Sequence, residues 1–422
     1  MRYETRMNKS LFMPFFLLSF VACSSESASD SPTADDAGTT GDSASQTDGE
    51  TSSTNDAGEG GTVVPGGGIT GALDPSWTSL GNDNNTLALL PDGKVIVAGA
   101  DNGFGRSKIN RLNADGTIDT AFAAVGAETN NWIGAVAPTP DGKVVIGGNF
   151  NSTGMTHIGR LNTDGKRDTT FNVGGAGAAG AVTALLRQPD GKILAAGYFT
   201  QYNGESRRMV ARANEDGSLD TSFAPAGGAG PLVGPYMRAL ALQSDGKVLV
   251  GGAGFDTFDG KDRKAIVRLN TNGTLDESFN GGDPGEEALV NAIAIQPDGK
   301  VLIGGTFRKW NGLATDANYI VRLNADGSLD TSFKSPFVPD AAIRSVTCVA
   351  LQTDGKVIVG GNFDGANLPG ATNLARLNAD GSHDTSFTAP EKEMKAMEVR
   401  ALVFQPDGKL LVGGNGAVYR LQ

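Results

Sequence analysis

The sequence predicts an all-β protein assembled from seven similar antiparallel units, and three observations carry this prediction. Glycine is unusually frequent, at 60 of 422 residues, which favours many turns over long helices. The phrase NADGSLDTSF at residues 324–333 has close variants that begin at Asn113, Asn162, Asn214, Asn270 and Asn378. A second phrase, DGK followed by β-branched residues and a pair of small residues, recurs in segments that begin at Pro91, Pro140, Pro189, Ser244, Pro297, Thr353 and Pro406.

Each unit is predicted to contain four short strands, named A to D in chain order. In the fifth unit these are residues 290–296, 301–307, 319–324 and 328–333. An Asp-Gly pair between β-branched runs is a strong hairpin signal, because glycine adopts the positive φ that a tight turn requires. The phrase NADGSLDTSF is therefore predicted to be the hairpin that joins strands C and D.

The two ends of the repeat region each carry part of a unit. GALDPSW, residues 71–77, is a lone strand D, and VYRL, residues 418–421, is a strand C with no strand D after it. In a ring these two pieces would pair, and closure would remove exposed sheet edges. A period of about 50 residues is also typical of propellers. We therefore expect a closed seven-bladed β-propeller of four-stranded antiparallel blades; an open array that begins in mid-unit is the alternative.

The combined pattern, DGKxxxGGxF followed by RLNxDGSxDxSF, resembles the delta-60 repeat family of bacterial β-propeller-like proteins. The resemblance covers residues 73–421, and the last copy departs from the pattern with Gln422 where the others have Asn. The family implies a propeller fold and an envelope setting. It carries no established activity and no agreed catalytic residues, so the resemblance implies no functional residue.

The first 70 residues have the composition of an export signal followed by a tether. Residues 1–22 combine a basic start with an apolar run that is short for a membrane span, which fits a lipoprotein signal peptide. Translation from Met7 instead of Met1 is an alternative. The sequence FVAC followed by Ser24 resembles a lipobox, so Cys23 is the expected lipidation site. Residues 23–70, rich in Ser, Asp, Thr and Gly, are predicted to be a disordered linker before the propeller at residues 71–422.

These terminal features predict a bacterial lipoprotein of the cell envelope. The serine after Cys23 favours the outer membrane, with the propeller on its periplasmic or surface face. Contact with the membrane would run through the lipid on Cys23.

The composition argues against several function classes. The formal net charge is -12, and acids of the linker supply most of it, so the repeat region is nearly neutral and has no electrostatic footprint for nucleic acid. Two His and two Cys leave little material for imidazole or thiolate chemistry. No recognisable catalytic motif is present, and we expect neither an enzyme nor a cofactor. His157 is expected to be a surface residue, His383 a strand residue, and Cys348 a small buried residue.

Every unit repeats one arginine in strand C and one aspartate in strand D. Because chemistry needs one site, a feature written seven times is expected to serve the fold. We expect the aspartates to accept hydrogen bonds from turn amides or from the arginines. Calcium binding by these loops is the alternative, although their glycine falls at loop position four rather than six. The residues are Arg111, Arg160, Arg212, Arg268, Arg322, Arg376 and Arg420, with Asp74, Asp119, Asp168, Asp220, Asp276, Asp330 and Asp384.

A binding surface is expected on the B–C and D–A connections. These vary in length and content, as binding loops tend to do, whereas the A–B and C–D turns are stereotyped. Aromatic residues beside Arg, Lys and Asn favour a protein or glycan surface. The candidate residues are Trp132, Tyr202, Arg207, Phe258, Lys261, Arg308 and Trp310.

Three functions are compatible with this surface. The first is a protein-interaction or adhesion scaffold for an envelope protein. The second is a carbohydrate-binding or carbohydrate-processing envelope protein, which would use the aromatic residues and carboxylates. The third is a structural component of a surface layer.

Overall fold

The structure is a computed structural model of the chain. It describes residues 69–79, 86–100, 107–123, 132–152, 154–225, 227–228, 236–285, 288–313, 317–338, 345–363 and 368–422. The predicted signal peptide, Cys23 and nearly all of the predicted linker lie outside the described residues. No helix within these ranges is long and apolar enough to cross a membrane.

The described residues form a propeller-like arrangement of antiparallel sheets, each built from strands A, B and C of one unit. We number the sheets 1 to 7 in chain order. Sheets 1 to 3 contain β1 (Thr86–Leu89), β2 (Val95–Ala100) and β3 (Ser107–Leu112); β4 (Trp132–Pro138), β5 (Val144–Ser152) and β6 (Met155–Leu161); β7 (Ala178–Arg187), β8 (Ile193–Tyr202), β9 (Glu205–Ser206) and β10 (Val210–Ala213).

The other four sheets follow the same plan, with one additional two-stranded ribbon, β13–β14, and one short helix, α1 (Glu391–Lys395). Sheets 4 and 5 contain β11 (Tyr236–Leu242), β12 (Val248–Ala253) and β15 (Ile266–Leu269), with the ribbon β13 (Thr257–Phe258) and β14 (Lys261–Asp262), then β16 (Val290–Ile295), β17 (Val301–Gly305) and β18 (Ile320–Leu323). Sheets 6 and 7 contain β19 (Ser345–Leu351), β20 (Val357–Asn362) and β21 (Leu374–Leu377), then β22 (Val399–Phe404), β23 (Leu410–Gly414) and β24 (Ala417–Leu421).

The Asp-Gly turns form as predicted. Between β16 and β17, Gly299 has φ of +82° and its N–H donates to the Gln296 carbonyl at 2.9 Å. The turn between strands C and D of the same unit repeats this geometry, with Gly327 at φ +90° and its N–H on the Asn324 carbonyl at 2.9 Å. Because glycine has no Cβ, it reaches this left-handed region without strain.

Strand D is shorter than predicted. In the fifth unit only Leu329 pairs, with Leu323, and the chain then turns. The Asp330 carboxylate accepts hydrogen bonds from the Ser332 amide at 3.0 Å and hydroxyl at 2.6 Å, which closes a side-chain turn and ends the strand. Each sheet therefore contains strands A, B and C and makes a one-residue contact with strand D, and sheet 3 also contains the short strand β9. The other contacts are Leu112–Ile118, Leu161–Arg167, Ala213–Leu219, Leu269–Leu275, Leu377–His383 and Leu73–Leu421.

The core lies between consecutive sheets. The first strand of each sheet packs against the first strand of the next, and β1 packs against both β22 and β23. The paired glycines of strand B permit this approach: a Cβ on Gly304 would lie 2.7 Å from Cγ1 of Val346 in the next sheet. Between the last and first sheets the matching position is Gly413, where a Cβ would lie 2.9 Å from Cδ1 of Leu87. Burial of these apolar faces is the main stabilising term.

A β-bulge interrupts the first strand at the same register in sheets 2 to 7. A bulge leaves one residue without a partner across the strand pair and bends the strand there. The bulge residues are Gly134, Thr183, Arg238, Asn291, Thr347 and Arg400. This position is Gly, Thr, Arg or Asn in different sheets, although the residues around it are nearly repeated.

Candidate functional site

The repeated arginine and aspartate form one buried network with the lysine of the DGK turn. In the fifth unit Oδ2 of Asp330 accepts hydrogen bonds from Nε of Arg322 at 2.7 Å and from Nζ of Lys300 at 2.9 Å. The Arg322 guanidinium stacks on Phe333 at 5.0 Å from the ring centre. Its Nη1 donates to the Ala379 carbonyl in the next unit, at 2.6 Å. One carboxylate thus joins three strands of its unit and, through the arginine, the next unit.

The same pairing occurs in every unit, which confirms that the aspartates accept hydrogen bonds from the repeated arginines. The pairs are Arg111–Asp119, Arg160–Asp168, Arg212–Asp220, Arg268–Asp276, Arg322–Asp330, Arg376–Asp384 and Arg420–Asp74, with Nε to Oδ2 distances of 2.6 to 2.9 Å. Because each unit has it, the network accounts for the fold and not for a single reaction site.

Hydrogen bonding keeps these carboxylates ionised. Burial alone would raise the pKa of the Asp330 carboxyl, but hydrogen bonds from Ser332, Lys300 and Arg322 outweigh burial and hold that pKa well below its usual range. At Asp119 the hydrogen bond from Lys94 is the largest cause, and the pKa falls to about 2.

The seventh network joins residues that are far apart in the chain. Asp74 accepts from Nε of Arg420 and from Nζ of Lys409, both at 2.9 Å. The Gln422 N–H donates to the Ala72 carbonyl at 3.0 Å, and the Thr70 N–H donates to the Gln422 carbonyl at 2.9 Å. These contacts resemble those of the C–D turns in the other units, although here the two sides of the turn come from opposite ends of the chain. We call residues 69–77 the latch.

The latch also fills an apolar position. Trp77 is buried, its indole N–H donates to the Val418 carbonyl at 3.0 Å, and Arg420 stacks on its ring at 4.8 Å. Trp77 occupies the place that Phe333 holds in the fifth unit. The pairing of residues 71–77 with strand C at residues 418–421, expected from the sequence, is confirmed by the contact between Leu73 and Leu421.

Three of the seven residues predicted for the binding surface are buried, so that part of the prediction is wrong. Tyr202, Phe258 and Trp310 each have 0% of their surface exposed. Trp310 packs edge-on against Phe307 at 4.9 Å between ring centres, and the Tyr202 hydroxyl donates to the Gly217 carbonyl at 2.9 Å. A side chain without solvent exposure cannot contact a partner directly.

The hairpins between strands B and C explain this burial. Each aromatic residue precedes a tip residue with positive φ: Asn203, Asp259 and Asn311. Each tip holds the connection that leads into its own sheet. The Asn311 amide oxygen accepts from the Asp283 N–H at 2.7 Å, and the Asn311 N–H donates to the Asp283 carbonyl at 2.7 Å. The connection therefore lies over the aromatic ring and seals it.

The hairpin of the fourth sheet lies beside strand D. Lys261 forms a salt bridge with Glu277 at 3.3 Å, and Nη2 of Arg263 donates to the Glu277 carbonyl at 3.2 Å. A residue with positive φ, Ala265, stands at the base of this hairpin, where the regular pairing of strands B and C ends. The hairpin is thus set against the outermost segment of its own unit.

Four predicted surface residues keep some exposure. Lys261 and Arg308 are exposed, whereas Arg207 and Trp132 are half-buried. The three cationic residues stand on the hairpins of sheets 3, 4 and 5, close in sequence to the three buried aromatic residues. We call Arg207, Lys261 and Arg308 the hairpin surface.

Sequence reasoning missed a second polar group, at the start of the first strands. Nη1 of Arg238 donates to Oδ1 of Asn291 in the next sheet at 3.1 Å, and its guanidinium stacks on Tyr236 at 5.1 Å. Nη2 of Arg400 donates to Glu398 at 3.2 Å. The sequence does contain a signal for this group: one position of the first strand varies between the aligned repeats, with Arg238 and Arg400 where sheet 2 has Gly134.

The remaining predicted residues have ordinary structural places. Cys348 is buried, as predicted, and burial raises the pKa of its thiol. His383 pairs with Leu377, as expected of a strand residue. His157 is half-buried rather than on the surface, and its Nδ1 lies 2.8 Å from the Ala178 carbonyl. Within the described ranges, no group of three or more His, Cys, Asp or Glu side chains could hold a metal ion.

Comparisons with known proteins agree with the propeller-like fold. A family model described as a domain of unknown function (DUF5122) beta-propeller matches residues 90–122, 139–171, 188–223, 243–279, 296–333 and 352–387. A comparison with curated proteins gave no match.

Two solved structures are similar in fold. The selenomethionine-substituted virginiamycin B lyase from Staphylococcus aureus has a TM-score of 0.52 and 15% identity, over 82% of this chain and 98% of that chain. The WD40 beta propeller domain of Doa1 has a TM-score of 0.50 and 15% identity, over 82% of this chain and 95% of that chain. At such identities the similarity shows the fold alone.

Proposed function

Since the chain belongs to the family described as a domain of unknown function (DUF5122) beta-propeller, we propose that it is an interaction scaffold of the bacterial cell envelope. In this proposal residues 71–422 form a closed seven-bladed ring, and the lipid on Cys23 tethers it to the outer membrane. The hairpin surface binds a protein partner.

Two observations support seven blades. The matched segments account for six repeats, and sheet 7 with the latch supplies the parts of one more. The contact of β1 with β22 and β23 then joins the last blade to the first. A closed ring has no long exposed sheet edge, which suits a protein displayed in isolation at the end of a linker.

The hairpins carry the interaction proposal. In sheets 3, 4 and 5 a buried aromatic residue and a hydrogen-bonded tip fix each hairpin rigidly, while its exposed side chains differ from one sheet to the next. Rigid backbone with variable exposed side chains limits the entropy that binding must overcome. The cations Arg207, Lys261 and Arg308 suit a partner with an acidic surface.

The signal and linker support the envelope location. A basic start, a short apolar run and the lipobox-like FVAC precede a long polar segment. Growth with a labelled fatty acid tests this part: label should appear on the native chain and be absent from Cys23→Ala. Label on both proteins would show that the lipid is not attached at Cys23.

Capture from envelope extract of the native host tests the scaffold. The baits are the full chain, a triple variant with Arg207→Ala, Lys261→Ala and Arg308→Ala, and a control with Lys166→Ala. Lys166 is an exposed cation in a stereotyped C–D turn, where it pairs with Asp164. We expect a protein that binds the native and control baits and is lost from the triple variant. Equal capture by all three baits would contradict the proposal.

A further inference from the structure

The bulge residues of the first strands link neighbouring sheets, and neutral side chains suffice for this link. In sheet 6 the Thr347 hydroxyl donates to the Gly360 carbonyl at 3.0 Å and lies within hydrogen-bond distance of the Val399 carbonyl in sheet 7. In sheet 5 Nδ2 of Asn291 donates to the Val346 carbonyl in sheet 6 at 3.1 Å. The scaffold therefore does not require a charge at this register.

Arg238 places a charge at this register in sheet 4. The scaffold uses its Nη1, in the hydrogen bond with Asn291. Nε and Nη2 make no hydrogen bond within the described part of the chain, and neither is a buried atom. Arg238 also forms no salt bridge with any described residue. Arg238 is half-buried, and no described carboxylate lies within salt-bridge distance of its guanidinium, so Nε and Nη2 are donors that a ligand can reach.

The surroundings hold this guanidinium in one orientation. Tyr236 covers one face of it, and the Asn291 amide is fixed because its Nδ2 is bonded to sheet 6. Burial lowers the pKa of Arg238, and Tyr236 and the carboxylate of Glu398 partly offset this. Glu398 stands just before β22 of sheet 7 and is already hydrogen-bonded to Arg400, so it acts on Arg238 only from a distance.

We propose that Arg238 binds a carboxylate group of a ligand that enters the ring at the end remote from the DGK turns. Nε and Nη2 are the adjacent pair of donors that a carboxylate engages in the bidentate manner. β11 begins at Tyr236 and ends beside its DGK turn, which places Arg238 near the far end. The proposal rests on the proposed ring, because the ring makes the first strands surround a common axis.

Calorimetric titration of the full chain with succinate and with acetate tests the site. We expect saturable binding that Arg238→Gln weakens by about tenfold or more, since a charge-assisted bidentate contact is lost. Arg208→Gln is the control, because Arg208 is an exposed arginine outside the site. Saturation of the native chain by neither acid, or equal binding by Arg238→Gln, would overturn the proposal.

A second variant protects the test from a folding defect. Arg238→Lys keeps the positive charge but lacks the adjacent Nε and Nη2 donors, so we expect it to weaken succinate binding as Arg238→Gln does, and the melting temperature of each variant shows whether it is folded. Inorganic phosphate is titrated in parallel, and binding of phosphate in preference to both acids would overturn the carboxylate assignment. Peptides with a free or an amidated carboxyl end distinguish a partner's terminus from a small acid. Because capture by the hairpin surface uses other residues, failure of either proposal leaves the other testable.

Discussion

The Asp-Gly turns and the B–C hairpins differ in how strongly their side chains are repeated from unit to unit. At the turns, one arginine, one aspartate and one lysine recur in every unit with nearly the same distances. At the hairpins of sheets 3, 4 and 5, the buried ring and the bonded tip recur, whereas the exposed side chains differ. The comparison teaches that repeated positions stabilise the blades, whereas positions that change between units, such as Arg308 and Arg238, are free to serve binding.

Removal of the latch should have the largest effect, because it deletes one complete turn network. Loss of residues 69–77 leaves Arg420 without Asp74 and uncovers the site of Trp77, whose burial alone corresponds to about 3–5 kcal/mol. We expect a broad melting transition at much lower temperature, restored by a peptide of residues 69–77. A deletion within residues 24–60 is the control and should melt like the native chain. Equal melting of both deletions would contradict the role of the latch.

Trp310→Ala tests the anchor of a hairpin. A fully buried aromatic residue is removed, so the free energy of unfolding in urea should fall by about 3–5 kcal/mol. Arg308→Ala, two residues away and exposed, should change it by less than about 0.5 kcal/mol. Similar values for the two variants would mean that the hairpin is not anchored through its ring.

Asp330→Ala tests the repeated network. The loss of hydrogen bonds from Arg322, Lys300 and Ser332 should lower the free energy of unfolding by about 1–3 kcal/mol. Asp326→Ala is the matched control in the same turn, since Asp326 is exposed and, among the described residues, its carboxylate accepts hydrogen bonds from Ser328 alone. Chemical denaturation of both proteins decides the comparison, and a larger effect at Asp326 would reverse it.

Acid should reduce the stability that the repeated aspartates give to the Asp-Gly turns, whereas the buried aromatic rings of the hairpins do not titrate at low pH. The folded pKa of Asp119, about 2, lies below the unfolded value of about 3.9, so its stabilisation is complete above the unfolded value and is lost as pH falls through the folded one. Melting temperature should stay level from neutral pH to about pH 5 and decline below about pH 4. Asp119→Asn should show a shallower decline. A steep loss already between pH 7 and pH 5 would point to other groups.

The parts predicted correctly from sequence depend on local chemistry. The Asp-Gly turns need only a residue that tolerates positive φ, and the arginine and aspartate stand eight positions apart on two strands that one tight turn joins. Strand D was overestimated because its aspartate bonds to the residue two positions on and ends the strand. That competition between a side chain and the sheet is not visible in a pattern of β-branched residues.

The binding surface was predicted less well, for a physical reason. Alternation along an extended strand would place Arg308 and Trp310, two positions apart, on the same face, and it does not show which face will be covered. In the structure Arg308 is exposed and Trp310 is buried. The connection at Asp283 decides this when it bonds to Asn311 and closes over the ring. Arg238 was missed because a bulge shifts the register and turns its side chain toward the next sheet.

By itself, the sequence determined the repeat, its turns, the salt-bridged pairs and the pairing of residues 71–77 with residues 418–421. The repeat, its turns and the salt-bridged pairs follow from residues that are close in the chain. The pairing of the two ends follows because residues 71–77 are a strand D without a strand C and residues 418–421 are a strand C without a strand D. Only the tertiary structure decided which aromatic rings are buried and which arginine keeps donors available. Those outcomes depend on contacts between connections and sheets distant in sequence, where burial and hydrogen bonding, rather than local propensity, set the free energy.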